Sequence, residues 1–360
     1  MKKCLVVINT LSNSGSPKTF LHVINVLKEK GFVIDLYIFS AVDKNDLFYM
    51  DEYRKYCNKI TLSSIKLSSL IYRLFPYICF GLRKNKFFKI DYSFIISNDM
   101  YFCSYFLSLR KKCPKTKVIY YSLGNPNKKS SFKIINKKQS FIKKSFASID
   151  AFIAISSFSF FDENIVPKEN KHLLHDYPES YYPAIIKNKK HNLTLGQIGY
   201  FCRNKNQMFS IEVLNLLKKT YSDILLVFMG YESSEDKNYL KLMQNLIKTY
   251  RLEKHIRFVP SSYNKEAFFK DVDILLLPSF HEGYPLSLLE AQFSKTVCVA
   301  SDNVTPEIDY GLCYRVPLVL EQWTKTISEA INSEKRNSIN IYLKKDFYNQ
   351  LISILSKIIE

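Results

Sequence analysis

Short apolar runs alternate with longer stretches in which apolar residues recur at helical spacing. Leu5–Ile8, Val33–Phe39, Phe94–Ile96, Val118–Tyr121 and Ala151–Ile155 are compact runs without helical period, the pattern of strands buried on both faces. A polar loop over Asn9–Lys18 leads into a helical stretch over Thr19–Lys30, which Gly31 stops. After the polar segment Lys187–Asn192 the pattern restarts. Strands are expected at Leu195–Tyr200, Ile224–Met229, Ile256–Val259, Ile274–Pro278 and Val297–Ser301. Helices are expected at Asn206–Tyr221, Tyr239–Tyr250, Lys265–Lys270 and Pro285–Phe293. A last helical stretch, about Ser338–Ile359, carries Ile341, Phe347, Leu351, Ile354, Leu355 and Ile358. Strands alternating with helices predict parallel sheets joined by crossover helices, an α/β fold. Two such units in succession predict two doubly wound, Rossmann-like domains, 1–185 and 186–335, followed by a helix over 336–360. Their ligand is expected in the cleft between them, at the carboxyl ends of the strands.

The chain has 360 residues, long for one core and suited to two domains, with 47% hydrophobic residues to fill them. The opening MKKCLVVINT has too short an apolar run for a secretion signal and reads as a first strand. No segment approaches the roughly 20 apolar residues of a membrane span. The eight cysteines are scattered, with no C-x-x-C pair, which fits reduced thiols in a cytoplasmic protein and argues against a structural metal. Charge adds more. Of the net +19, nearly all lies early: residues 1–190 hold 32 Lys and Arg against 14 Asp and Glu. An anionic partner is therefore expected for the first half alone.

The window Leu275–Phe293 carries the clearest chemistry. A hydrophobic strand ends at Pro278, a loop bears Glu282, Gly283 and Tyr284, and Pro285 opens a helix, where its missing N–H costs nothing. The N–H groups of Leu286, Ser287 and Leu288 are then free to hold a phosphate or sugar oxygen. Glu290, further along, can accept paired hydrogen bonds from a vicinal diol such as ribose. Singly, each of these is an ordinary turn, loop charge or helix carboxylate. Their order after a strand is what points to a site.

This window closely resembles the E-x7-E motif of the family 4 glycosyltransferases, in the version found in enzymes of bacterial surface polysaccharide assembly. Ala300–Glu307 is similar to the SD-x-x-x-x-E that follows it there. The resemblance implies a retaining, metal-independent enzyme of GT-B fold, without cofactor, whose final helix packs back on the first domain. It implies that Glu290 binds the donor ribose, that Glu282 meets the donor sugar, and that Gly283, Tyr284, Pro285, Leu286 and Ser287 contact sugar and diphosphate. A second window, Leu195–Gln207, resembles the family's G-R-F-x-x-x-K-N loop. Lys205 matches the family lysine and, with Glu282, is the expected catalytic pair. Tyr200 stands at the family arginine, and Arg203 is expected to reach the same phosphate. Gly230, ending a strand, and Gly15, in the place of the family's glycine-rich loop, complete the donor-binding set. The family's acceptor-domain histidine is absent near Tyr121–Asn125; Tyr121 or Leu123 stands there. The six histidines are isolated and read as structural, His281 beside Glu282 being the one of interest.

Lys128–Lys144 and Lys66–Lys89 interleave cations with Phe132, Ile134, Ile135, Phe141 and Ile142, and with Leu67, Leu70, Leu74 and Phe75. Such spacing suits an amphipathic element on an anionic membrane surface; the plain alternative is lysine-rich composition over a buried core. The expected partners are a nucleotide-sugar donor, a glycan or lipid-linked acceptor and the inner face of the cell membrane, with no nucleic acid. Two other readings stand beside this one: a sugar-nucleotide-binding subunit without catalysis, and a basic nucleic-acid-binding protein.

Overall fold

The computed structural model describes residues 2–12, 14–39, 47–62, 91–108, 110, 113–127, 133–162, 164–178, 193–232, 236–332 and 343–359. The chain forms two compact units, Met1–Asp176 with Lys344–Glu360, and Tyr177–Leu343. The divisions expected from sequence lay near 185 and 335.

The first unit is built on a seven-stranded parallel sheet of order β3-β2-β1-β4-β5-β6-β7. Its strands are β1 (Lys3–Ile8), β2 (Val33–Ile38), β3 (Lys59–Leu62), β4 (Phe94–Ser97), β5 (Lys117–Ser122), β6 (Ala151–Ala154) and β7 (Lys171–Leu173). The central strands are buried along their length because helices cover both faces. The helix Gly15–Glu29 begins four residues earlier than expected, since extended Ser14 serves as its N-cap and Pro17 fits the first turn. The helix Lys344–Ile359 belongs to this unit. Its buried Phe347, Leu351, Ile354, Leu355 and Ile358 face inward. Gln350 donates to the carbonyl of Leu173, and the Phe347 ring meets His22 edge-on.

The second unit holds a six-stranded parallel sheet of order β10-β9-β8-β11-β12-β13. These are β8 (Thr194–Ile198), β9 (Leu225–Gly230), β10 (Ile256–Pro260), β11 (Ile274–Leu277), β12 (Val297–Ser301) and β13 (Cys313–Val316). Trp323 anchors the helix Leu320–Asn332 on this core, edge-on to Phe209 and donating to the carbonyl of Pro317. Strand β8 stops at Ile198 rather than Tyr200, because Gly199 turns the chain at φ +142°, a region L side chains rarely enter.

In each sheet the strand order reverses once, between β1 and β4 and between β8 and β11. Doubly wound sheets bind ligands at such switch points, outside the carboxyl ends of the strands. The loops there are 9–14 after β1 and, in the second unit, 199–206 after β8 and 278–285 after β11.

Candidate functional site

Backbone packing brings the site of the second unit together. A Cβ added to Gly230 would lie 2.0 Å from the carbonyl oxygen of Gly199, so the ends of β8 and β9 touch main chain to main chain. This contact is what the structure asks of Gly230, which the sequence assigned to the donor. Beyond Gly199 the chain forms a short 3-10 turn over Arg203–Lys205. It then passes through Asn206 in the left-handed region (φ 53°) into the helix Gln207–Leu217. Gln197, buried in β8, fixes this loop: its amide nitrogen donates to the carbonyl of Lys205 at 2.7 Å, and its oxygen accepts from Ser210 at 2.8 Å.

The second loop is stitched to the first. The N–H of Phe280 donates to the carbonyl of Asn204, and the Asn204 side-chain amide donates to the carbonyl of His281, both at 2.9 Å. The consequence is a close ion pair, with Lys205 Nζ 2.6 Å from Glu282 Oε1 and both side chains mostly buried. The two residues named catalytic from sequence are therefore partners.

Pro285 is the N-cap of the following helix, Leu286–Phe293, rather than its first residue. Its carbonyl accepts the N–H of Leu288, one of the three donors expected to be free. The N–H groups of Leu286 and Ser287 keep no partner among the described residues, and the half-buried Gly283 lies just before them. Tyr284 is buried, its hydroxyl 2.9 Å from that of Tyr310. Glu290 is 3% exposed, so it is no solvated helix carboxylate. Both its oxygens accept from Lys265 Nζ, at 2.6 and 2.7 Å. Lys265 opens the helix Lys265–Asp271 behind its cap Asn264.

Arg203 is largely exposed and turned to Asp236, 3.7 Å away, whose carboxylate also accepts the Arg203 N–H. Tyr200, at the arginine position of the resembled motif, packs edge-on to Tyr231. Of the two cations in this turn, Lys205 is the one that meets Glu282.

In the first unit Gly15 opens its helix at the switch-point loop, with open space where a Cβ would stand. One turn on, Thr19 and His22 both reach the fully buried Asp176, at 2.5 and 2.6 Å. Tyr121 is buried and donates to the carbonyl of Leu174, so its hydroxyl is already committed. His175 and His255 bond backbone carbonyls. His172 has its pKa lowered, by burial first and then by Lys357.

Sequence reasoning missed Lys265, Asn204 and Gln197. Gln197 had a signal, a lone amide inside an apolar strand. Lys265 and Asn204 had none, because their partners lie far along the chain.

Of the amphipathic stretches, Lys66–Lys89 lies outside the described residues. Lys133–Ser145 is a helix. Ile142, expected on its membrane face, is in the core, whereas Phe141 is 63% exposed beside Lys137 and Lys144. No helix among the described residues is long and apolar enough to cross a membrane.

Residues 182–310 match the family described as Glycosyl transferases group 1. The second unit thus carries a group 1 glycosyltransferase domain. Over 183 residues the chain is 26% identical to the capsular polysaccharide biosynthesis glycosyltransferase CapH of Staphylococcus aureus. That match covers 49% of this chain and spans half the length of the relative. The structure of Anabaena HepE in complex with UDP aligns over 99% of this chain and 100% of that one, at 13% identity and a TM-score of 0.76. The lipopolysaccharide outer core galactosyltransferase WaaB aligns over 99% of both, at 17% identity and a TM-score of 0.69. The fold is GT-B.

Proposed function

We propose that the protein transfers a sugar from a nucleoside diphosphate sugar to a hydroxyl of a lipid-linked glycan, retaining the anomeric configuration, in the synthesis of a surface polysaccharide. The observation that carries this reading is the Lys205–Glu282 pair, 2.6 Å apart at the switch point and at the head of a helix with two open N–H groups. Preorganised cations and N–H groups stabilise charge developing on a leaving group. In this reading Lys205 and the N–H groups of Leu286 and Ser287 take the diphosphate, and Glu282 exchanges its partner for the donor sugar. Glu290 takes the ribose hydroxyls while Lys265 keeps its charge balanced. The acceptor oxygen bonds to the anomeric carbon as the bond from that carbon to the donor phosphate breaks. The acceptor proton passes to the departing phosphate oxygen. Lys205 and the N–H groups do the neutralising for which other enzymes use a divalent cation.

The capsular relative supports the acceptor class, and the UDP held by HepE makes uridine nucleotides the first donors to try. Exposed Phe141 among lysines supports docking at an anionic membrane, with the protein working in the cytoplasm at its inner face.

The test is release of nucleoside diphosphate from a panel of nucleotide sugars without acceptor, followed in the wild type and in Lys205→Ala and Glu282→Gln. Release from one donor, lost in both variants, is the expected result. Nucleotide binding with no release from any donor would leave a binding subunit instead. Salt-sensitive DNA binding indifferent to nucleotides would overturn both.

A further inference from the structure

Four lysines of the first unit stand at the end of its sheet opposite the switch-point loop. Lys59, Lys3, Lys117 and Lys171 are the first residues of β3, β1, β5 and β7. In the sheet order these are alternate strands, so the lysines recur roughly every 10 Å along the amino edge, at about 4.8 Å per strand. Crossover helices run antiparallel to the strands and end at the same edge, where cations also suit the helix dipole. Lys357, in the last turn of the helix Lys344–Ile359, joins them, since it lines the same cavity as Lys117.

At this edge lies a polar cavity of about 450 Å³ lined by Arg110, Lys117, Ser148, Asp150, Asn170 and Lys357, among others. Asp150 organises it. Its two oxygens both accept from Arg110 Nη2, at 2.7 and 2.8 Å, and one also accepts the N–H of Val118. Arg110 further donates to the carbonyl of Ser148. Lys117 stands 3.5 Å from the same carboxylate. Lys357 has no ion-pair partner among the described residues. Two cations thus meet one carboxylate and Lys357 stands beside them, so the lining carries two more positive charges than negative ones around a space large enough for a phosphate.

We infer that this cavity binds a phosphate group, at a site separate from the Lys205–Glu282 site and independent of the function proposed above. Asp150 fixes the arginine, and Lys117 and Lys357 close on the anion. The lysines along the strand starts raise the local concentration of anions. The phosphate is either free or borne by an anionic lipid headgroup.

The experiment uses the full chain with two kinds of probe: inorganic phosphate and pyrophosphate by calorimetry, and phosphatidylglycerol against phosphatidylcholine vesicles by co-sedimentation. Both are done on Lys205→Ala, so that the proposed donor site contributes little, and repeated with Lys117→Ala/Lys357→Ala added, which leaves the Arg110–Asp150 contact intact. The expected result is binding of at least one probe by the Lys205→Ala parent, weakened tenfold or more when Lys117 and Lys357 are also replaced, with an unaltered circular dichroism spectrum. Binding of the soluble anions assigns a free phosphate ligand; binding of phosphatidylglycerol vesicles alone assigns the headgroup. The inference is overturned if the parent binds no probe, or if replacing Lys117 and Lys357 leaves its binding unchanged.

Discussion

Lys265 reaches Glu290 across 25 residues of sequence and holds both its carboxylate oxygens, at 2.6 and 2.7 Å. A carboxylate this buried needs a counter-charge, and the lysine, 30% exposed, supplies it from the solvent side. Removing one partner of a buried pair leaves the other charge uncompensated. Lys265→Met should therefore lower stability by about 2 kcal/mol, below the 3–5 kcal/mol of fully buried pairs because the lysine is partly solvated. Urea unfolding checks this. Adding Glu290→Gln to the Lys265→Met variant should restore much of the loss; a further drop instead would mean that the pair is not what stabilises the site.

Asn204 is a positioning residue. Its amide spans the two switch-point loops, and without it they are joined by the Phe280–Asn204 backbone hydrogen bond and the attraction of Lys205 for Glu282. Asn204→Asp keeps the shape but cannot donate, and should cost about 1 kcal/mol of stability. Its mark should be a fall in kcat with little change in the donor KM, because nucleotide contacts remain. Equal losses in both constants would place Asn204 against the donor itself.

Gly230→Ala should be more damaging than its size suggests. The new methyl would meet the Gly199 carbonyl at 2.0 Å, and a backbone atom cannot rotate away as a side chain can. Overpacking of this kind costs about 1–3 kcal/mol. The loop carrying Lys205 would shift with it, so donor turnover should fall along with the melting temperature. A variant of wild-type activity and stability would show that the β8 and β9 ends tolerate separation.

If Lys205 and the helix N–H groups take the neutralising role proposed for them, turnover should persist in excess EDTA. Loss of activity, recovered on adding magnesium or manganese, would assign that role to a divalent cation.

Glu290→Ala should weaken nucleotide-sugar binding by about 1–3 kcal/mol through loss of a charged acceptor. Lys265→Met separates this from folding, because it disturbs the same carboxylate while leaving it in place. Calorimetric titration with donor on both variants is the measurement.

Much of the architecture was legible because both sheets bury their central strands, so runs such as Phe94–Ile96 and Leu275–Leu277 have no polar residue to interrupt them. Strands β3, β7 and β13 were not legible. Each lies at a sheet edge; Lys59–Leu62 alternates over only four residues, and Lys171–Leu173 has neither apolar run nor alternation. The helix Leu320–Asn332 was within reach, since Trp323, Ile327 and Ala330 recur at helical spacing and all are buried. At the site, Lys205, Glu282 and Glu290 could be named because each sits in a local string with strand, loop and helix start in order. That Lys205 and Glu282 pair, and that Lys265 covers Glu290, depends on which loops the strand order makes neighbours. No local window encodes this.

The path of the chain also sets an order of manufacture. The helix Lys344–Ile359 fills the core of the unit that begins at Met1, yet it is synthesised after every residue of the other unit. While the ribosome works, helix Gly15–Glu29 lacks Phe347 beside His22, and Gln350 is not there to take the Leu173 carbonyl. The second unit, contiguous in sequence, can close as soon as it emerges. The half of the protein started first is finished last.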